Sequence, residues 1–492
     1  MDVQHSGAYE SQLHLEFDQP AAAAQAPRPE LADVGKLVRR GVRAVVGAAR
    51  AGDRVTLSTL LLAHLGDTGA ALDVVEETWP SYEQVNVQAG LDTWLAEGSR
   101  TSQLVGVVGF QHRPFGLGEL LSGGPEVQDP YGPRPGNASR VNRAAGPDGE
   151  TRPCVRCAIY LVTEGAARTA VLLRGPEPEV GMPDTRVQVV STEPGLAARA
   201  VAEVRAAAMA QNVFRGQVLS FGGEVFGHGQ ALLQFHRRPS LRADQLVLSA
   251  DTLAEVQRQV VEVARHKEQL LAAGQHLKRG VLLYGPPGVG KTHTVRYLTS
   301  MLTGTTVIQL TGNALHLIAE ACSVARALAP SMLVIEDVDL IAEDRGMHPG
   351  QHPLLFQLLN EMDGLAEDAD VVFVLTTNRA DLLEPALAAR PGRVDQAVEL
   401  RLPDAAARRA LFDLYRGGLD VDTSGLDDVL ARTEGVTASF LKELLRRAAL
   451  LAAQRGAEGP LRVAAADLSG ALDELLDTRN AMTRTLLGSA AG

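Results

Sequence analysis

A chain of 492 residues has room for about three domains at roughly 150 residues each. Its 45% hydrophobic and 22% charged residues are ordinary for a soluble globular protein, and no run of 18 apolar residues marks a membrane helix. A formal net charge of −12 argues against a dedicated nucleic-acid binder, and three cysteines are too few for a disulfide framework.

In chain order, residues 1–30 are polar and then rich in Ala and Pro, so a disordered tail is expected. The opening Met1-Asp2-Val3-Gln4-His5 lacks the basic and apolar regions of a signal peptide, and the expectation is a cytoplasmic protein without a membrane span. From Asp33, a plausible N-cap, Val34, Leu37, Val38, Val42, Val45 and Val46 follow helical spacing. Further helical patterns cover 57–65 and 90–95, and a short strand is expected at 105–110, which together suggest a mostly helical domain over 31–122. Residues 123–153 are dense in Gly, Pro, Asn and Asp and read as a linker. Residues 154–244 combine strand-like runs at 158–163, 169–174, 186–190, 218–221 and 231–235 with an Ala-rich helix at 196–209, an α+β domain. Cys154-x-x-Cys157 has no second Cys/His pair at zinc spacing, so both are expected to be loop thiols.

The densest signal begins at Val281. Val281–Tyr284 is a short apolar strand, and Gly285-Pro286-Pro287-Gly288-Val289-Gly290-Lys291-Thr292 matches G-x-x-x-x-G-K-[ST]. In such a loop, glycines let backbone N–H groups curl around phosphates, and the following helix points its positive end at them. Lys291 would reach the β- and γ-phosphates, and the Thr292 hydroxyl would ligate Mg²⁺. About 40 residues on, the apolar run Met332–Ile335 ends in Glu336-Asp337-Val338-Asp339, carboxylates placed to hold a cation and polarise water.

From here the chain resembles the AAA-family ATPases of the AAA+ superfamily, over roughly residues 245–480. Pro330–Asp339 resembles their Walker B stretch, and Leu358-Leu359-Asn360-Glu361-Met362-Asp363-Gly364 the helix before their sensor strand. Thr376-Thr377-Asn378-Arg379 sets Asn378 at the sensor-1 position, and Glu384–Asp395 is similar to the arginine-finger segment, with Arg390 and Arg393 on the finger positions. The stretch Thr433–Leu441 resembles the lid beside the adenine, where Val436, Ala438 and Ser439 adjoin the nucleotide.

The resemblance implies an α/β fold: a P-loop NTPase αβα sandwich (245–402) with a C-terminal helical lid (403–480, opened by Asp404 as N-cap) and a tail (481–492). The small helical domain and the α+β domain would precede it. It implies ATP and Mg²⁺ as cofactors, with Gly285, Pro286, Pro287, Gly288, Val289, Gly290, Lys291, Thr292, His293 and Ala438 binding nucleotide. Thr292 would hold the metal directly and Glu336 through water. Catalysis would fall to Glu336, Asp337, Asn378, Arg390 and Arg393. Fingers act in trans, so the resemblance also implies a ring oligomer, commonly a hexamer. The expected function is an ATP-hydrolysing remodeller whose N-terminal part recruits a protein client. The alternative is a slow-turnover, nucleotide-gated assembly or scaffold protein, and a nucleic-acid motor ranks below both.

Five departures stand out. The family has Asp then Glu in Walker B, whereas this chain has Glu336 then Asp337, which predicts slow hydrolysis. No aromatic residue lies between Thr306 and Pro330, where threading relatives carry an aromatic pore loop. Leu248-Ser249-Ala250-Asp251 replaces a Gly-Gly turn, and Gln396 replaces an Arg. No HExxH run occurs, which sets the chain apart from the protease branch on chemistry.

Overall fold

The computed structural model describes residues 55–66, 72–111, 114–122, 132–223, 231–340, 353–364, 366, 369–381, 394–456 and 461–477. The tails 1–30 and 481–492, the expected helix after Asp33, and Arg390 and Arg393 lie outside the described residues.

The first sheet has six strands. They are β1 (Val75–Trp79), β2 (Thr101–Val108), β3 (Arg134–Gly136), β6 (Cys157–Glu164), β7 (Ala167–Arg174) and β8 (Thr185–Ser191) in the order β1-β8-β7-β6-β2-β3. Every pairing in it is antiparallel. Helices Gln84–Ala96 and Leu196–Ala210 cover one face through Val87, Leu91, Trp94, Val201 and Val204. Helices Leu57–Leu65 and Leu117–Leu121 cover the other through Leu57, Leu61, Leu117 and Leu120. β6 and β7 are therefore buried on both faces and read as continuous apolar runs, Ala-Ile-Tyr-Leu-Val and Ala-Val-Leu-Leu.

This sheet draws strands from both sides of the expected linker, so the described part of 31–122, although largely helical, is not a separate domain: β1 and β2 pair with strands from 154–191. Nor is 132–153 a linker. β4 (Arg140–Ala144) and β5 (Thr151–Val155) form a hairpin closed by Ala145 N–H donating to the Glu150 carbonyl at 2.7 Å. Gly146-Pro147-Asp148-Gly149 turns the corner, with Gly149 at φ 85°. Cys154 and Cys157 lie in β5 and β6, buried and free, and burial pushes their thiols up to about 11 and about 12.

The second sheet has seven strands: β9 (Val218–Gly223), β10 (Ala231–His236), β11 (Arg279–Tyr284), β12 (Thr306–Leu310), β13 (Ser331–Ile335), β14 (Val371–Thr377) and β15 (Gln396–Glu399). Their order is β10-β9-β12-β13-β14-β11-β15. All pairings are parallel except β9 with β10. Two apolar cores flank it: one includes Val295, Leu298, Val256 and Val260, the other Ile318, Ala325, Leu358 and Met362. This is the αβα sandwich of a P-loop fold. β9 and β10, expected in the preceding α+β domain, are instead the two strands at one edge of this sheet.

A helical lid follows. Helices Ala405–Arg416, Ala438–Gln454 and Ala465–Leu476 share a core built on Phe412, Phe440, Leu444 and Leu472. Asp404 caps the first, its carboxylate accepting from Ala407 N–H at 2.7 Å.

Candidate nucleotide site

In a parallel sheet the strands end along one edge, where ligands gather beside a strand-order reversal. Here β11 lies between β14 and β15, and the register aligns Tyr284 with Thr377 and Leu310 with Ile335. Gly285, Glu336 and Asn378 therefore begin neighbouring loops.

The Gly285–Gly290 loop has glycine φ values of 148°, 83° and 111° at 285, 288 and 290, which no L side chain adopts comfortably. A Cβ at Gly285 would sit 2.2 Å from the Leu400 carbonyl. The helix Lys291–Met301 starts directly after the loop, so its unpaired N–H groups face the cradle.

Lys291 is buried, and its ammonium donates to Gly285 O at 2.7 Å, Pro286 O at 3.0 Å and Asn378 Oδ1 at 2.7 Å. Burial lowers its pKa, opposed by the Asp337 and Asp339 carboxylates. The Asn378 amide donates to Asp337 Oδ1 at 3.4 Å. Thr292 Oγ1 donates to Glu336 Oε2 at 3.3 Å. Burial holds the Glu336 carboxyl above its ordinary value, and Asp337 adds to this while the Thr292 hydroxyl and Arg296 oppose it.

Of the expected residues, Lys291, Thr292, Glu336, Asp337 and Asn378 thus form one connected cluster. His293 is turned elsewhere and donates from Nε2 to the Gln245 carbonyl at 3.0 Å. Ala438 packs into the lid core, and its neighbours meet the loop: Ser439 N–H donates to Gly288 O at 3.2 Å. Sequence reasoning missed two supports. Thr376 Oγ1 accepts from Asp337 N–H at 3.1 Å, and buried Asp339 accepts from Thr377 Oγ1 at 2.8 Å and Asn378 N–H at 3.3 Å. The third acid of Glu-Asp-Val-Asp, two residues beyond Asp337, was the available signal.

The oxygen donors of Thr292 and Glu336 suit a hard cation such as Mg²⁺, which prefers oxygen ligands and retains waters. Among the described residues no group of three His, Cys, Asp or Glu side chains is arranged to hold a metal by itself, so phosphate oxygens would complete the shell. A lysine held at a glycine loop with an Asn and a carboxylate opposite presents groups that suit phosphate oxygens.

Residues 281–402 match the model of the ATPase family associated with various cellular activities (AAA). The chain carries an AAA-family ATPase domain. The AAA region is 36% identical over 242 residues to the ATP-dependent zinc metalloprotease FtsH 2 of Sphaerobacter thermophilus, covering 47% of this chain and 36% of that protein. It is 32% identical over 288 residues to FtsH 4 of the same organism, covering 55% and 43%. It is also 32% identical over 247 residues to FtsH of Thermus thermophilus, covering 47% and 38%. The chain thus spans about two fifths of the length of these relatives. Among the described residues no helix is long and apolar enough to cross a membrane.

Proposed function

We propose that this chain binds ATP with Mg²⁺, hydrolyses it in a ring of like subunits, and uses the cycle to remodel a protein client engaged through its N-terminal part. The observation that supports hydrolysis best is the continuous link from the Lys291 ammonium through the Asn378 amide to the Asp337 carboxylate. Lys291 would neutralise charge on the β- and γ-phosphates, Asn378 would orient the attacking water, and Asp337 would take its proton. Bound Mg²⁺ would withdraw charge from the phosphate oxygens, held by Thr292 and, through water, by Glu336. Arg390 and Arg393 would enter a neighbour's site in trans, in a hexamer by analogy with the family's rings.

Phosphate release from the intact chain tests this. Lys291→Ala removes charge-assisted bonds worth roughly 1.5–3 kcal/mol each, so ATP affinity should fall about tenfold or more. Asn378→Ala should keep binding and lose turnover. Equal turnover in all three proteins would refute the assignment.

One feature favours a second reading, a slow-turnover scaffold whose assembly ATP gates. Asp337, one bond shorter than the family's glutamate, sits at φ 53° and only 3.4 Å from the Asn378 amide. A client that raises steady-state turnover would favour the remodeller, and ATP-dependent assembly with negligible turnover the scaffold.

A further inference from the structure

The loops that follow β13 and β14 are laced to each other. The Asp337 N–H donates to Thr376 Oγ1 at 3.1 Å, and the Val338 N–H to the Thr376 carbonyl at 2.9 Å. The Thr377 hydroxyl donates to Asp339 Oδ1 at 2.8 Å, and the Asn378 N–H donates to the same oxygen at 3.3 Å. Thr377 Oγ1 in turn accepts from the Arg379 N–H at 2.9 Å. The turn that carries Asn378 is thus wound around one carboxylate of the neighbouring loop.

That carboxylate differs from the two acids before it. Glu336 is half-buried and Asp337 exposed, whereas Asp339 is buried. Burying a carboxylate is costly unless its oxygens are hydrogen-bonded, and packing alone would be served by an apolar side chain. Here the acid is used on the turn. Asp339 pins the Asn378 backbone, while the Asn378 side chain spans the cradle: its Oδ1 accepts from Lys291 Nζ at 2.7 Å and its amide donates to Asp337 Oδ1 at 3.4 Å. The negative charge of Asp339 also reaches Lys291, where it opposes the lowering of the ammonium's pKa by burial.

We propose that Asp339 is a positioning residue for ATP hydrolysis: it fixes the turn at Asn378 so that the side-chain amide stands between Lys291 and Asp337. It acts through Asn378 and touches neither nucleotide nor metal. The inference rests on the reading of Asn378 as the group that orients the attacking water. Nucleotide affinity draws on the loop 285–292 and does not need Asp339, whereas turnover does, because a misplacement of about 1 Å costs roughly a hundredfold in rate.

Hydrolysis of labelled ATP by the full chain with Mg²⁺, measured beside equilibrium ATP binding, tests it. Asp339→Ala should lower kcat about tenfold to a hundredfold while affinity stays within about threefold of the parent's. Asp339→Asn, whose amide oxygen still accepts from both donors, should recover most of that loss. Thr377→Val, close in shape but without the hydroxyl, should lower kcat about threefold to tenfold and serves in place of Asp339→Ala should that variant not fold. In an Asn378→Ala background the residual rate should fall by less than about twofold on adding either substitution, since the group they position is gone. An equal cost in both backgrounds, or a loss of affinity as large as the loss of kcat, would show a merely structural acid and overturn the proposal. Parent-like kcat in Asp339→Ala beside an inactive Lys291→Ala would sink this inference alone, whereas a parent without turnover would sink the reading of Asn378 along with it.

Discussion

Asp337 occupies the left-handed region at φ 53°, the one described non-glycine residue with positive φ. That well costs most L-residues about 1–2 kcal/mol, whereas Asp and Asn enter it more readily. The inverted acid order therefore matches the backbone: the shorter acid stands where the chain is left-handed, with Thr376 Oγ1 accepting its N–H. Restoring the family order with Glu336→Asp and Asp337→Glu should raise kcat while costing about 1 kcal/mol of stability. Parallel turnover and urea-melt measurements check both halves, and unchanged kcat would show that acid order does not limit the rate. Glu336 carries a second prediction. Its folded-state pKa is raised by burial, so the folded protein holds this proton more tightly than the unfolded chain does. The group favours folding below the unfolded carboxylate value and loses that contribution as pH climbs through the folded one. Glu336→Gln should accordingly leave the nucleotide-free melting temperature at pH 7.5 equal or higher, while shrinking the increase that Mg²⁺ and ATP produce. A lower nucleotide-free melting temperature would contradict this.

At the scale of elements, the phosphate loop and the lid are joined at one point. A Cβ on Gly288 would lie 2.9 Å from Thr437 Oγ1 and 3.1 Å from the Ser439 side chain, and φ at 288 is 83°. Thr437 also caps the Ala438–Gln454 helix, accepting from Phe440 N–H at 3.3 Å. Gly288→Ala should thus combine backbone strain of about 1–2 kcal/mol with a forced separation of lid and loop. Nucleotide affinity should drop at least tenfold, as measured by titration calorimetry. Thr437→Ala should cost about 1 kcal/mol of helix stability with a smaller effect on affinity. If Gly288→Ala bound ATP as the parent does, the lid would not share in forming the site.

Across the molecule from Thr56 onward, the two large sheets are tied through the segment between them. Phe214 packs with Phe235 and Tyr82 with Phe221, and Arg215 donates to the Ala329 carbonyl at 3.0 Å. Arg238, just after β10, donates to four carbonyls, those of Gly216, Thr299, Leu302 and Thr305, at 2.6–3.1 Å. Arg238→Ala would orphan several buried acceptors and should destabilise the chain by at least about 2 kcal/mol. Denaturant melts monitored at Trp79 and Trp94 would register this as a lower midpoint, whereas an unchanged midpoint would show the staple to be idle.

How much of this was legible in sequence depended on how local the signal was. The phosphate loop, the acids after β13 and Asn378 were legible because each follows a buried apolar strand at a fixed offset. The ownership of β9 and β10 was not, since strand runs at 218–221 and 231–235 carry no mark of which sheet they join. β1, with its exposed Glu76 and Thr78, alternates like any surface segment, and the hairpin at 140–155 was hidden by the same Gly and Pro residues that build its turn. Thr376 and Asp339 were missed because their work is done on the backbone and side chains of neighbours.

The central claim is that residues 285–292, with Lys291, cradle a triphosphate. Equilibrium titration of a fluorescent ATP analogue into the intact chain with Mg²⁺ tests it most directly. The account predicts saturable binding that ATP competes away and that Lys291→Ala weakens at least about tenfold. Absence of binding at millimolar nucleotide, or equal binding by Lys291→Ala, would contradict it.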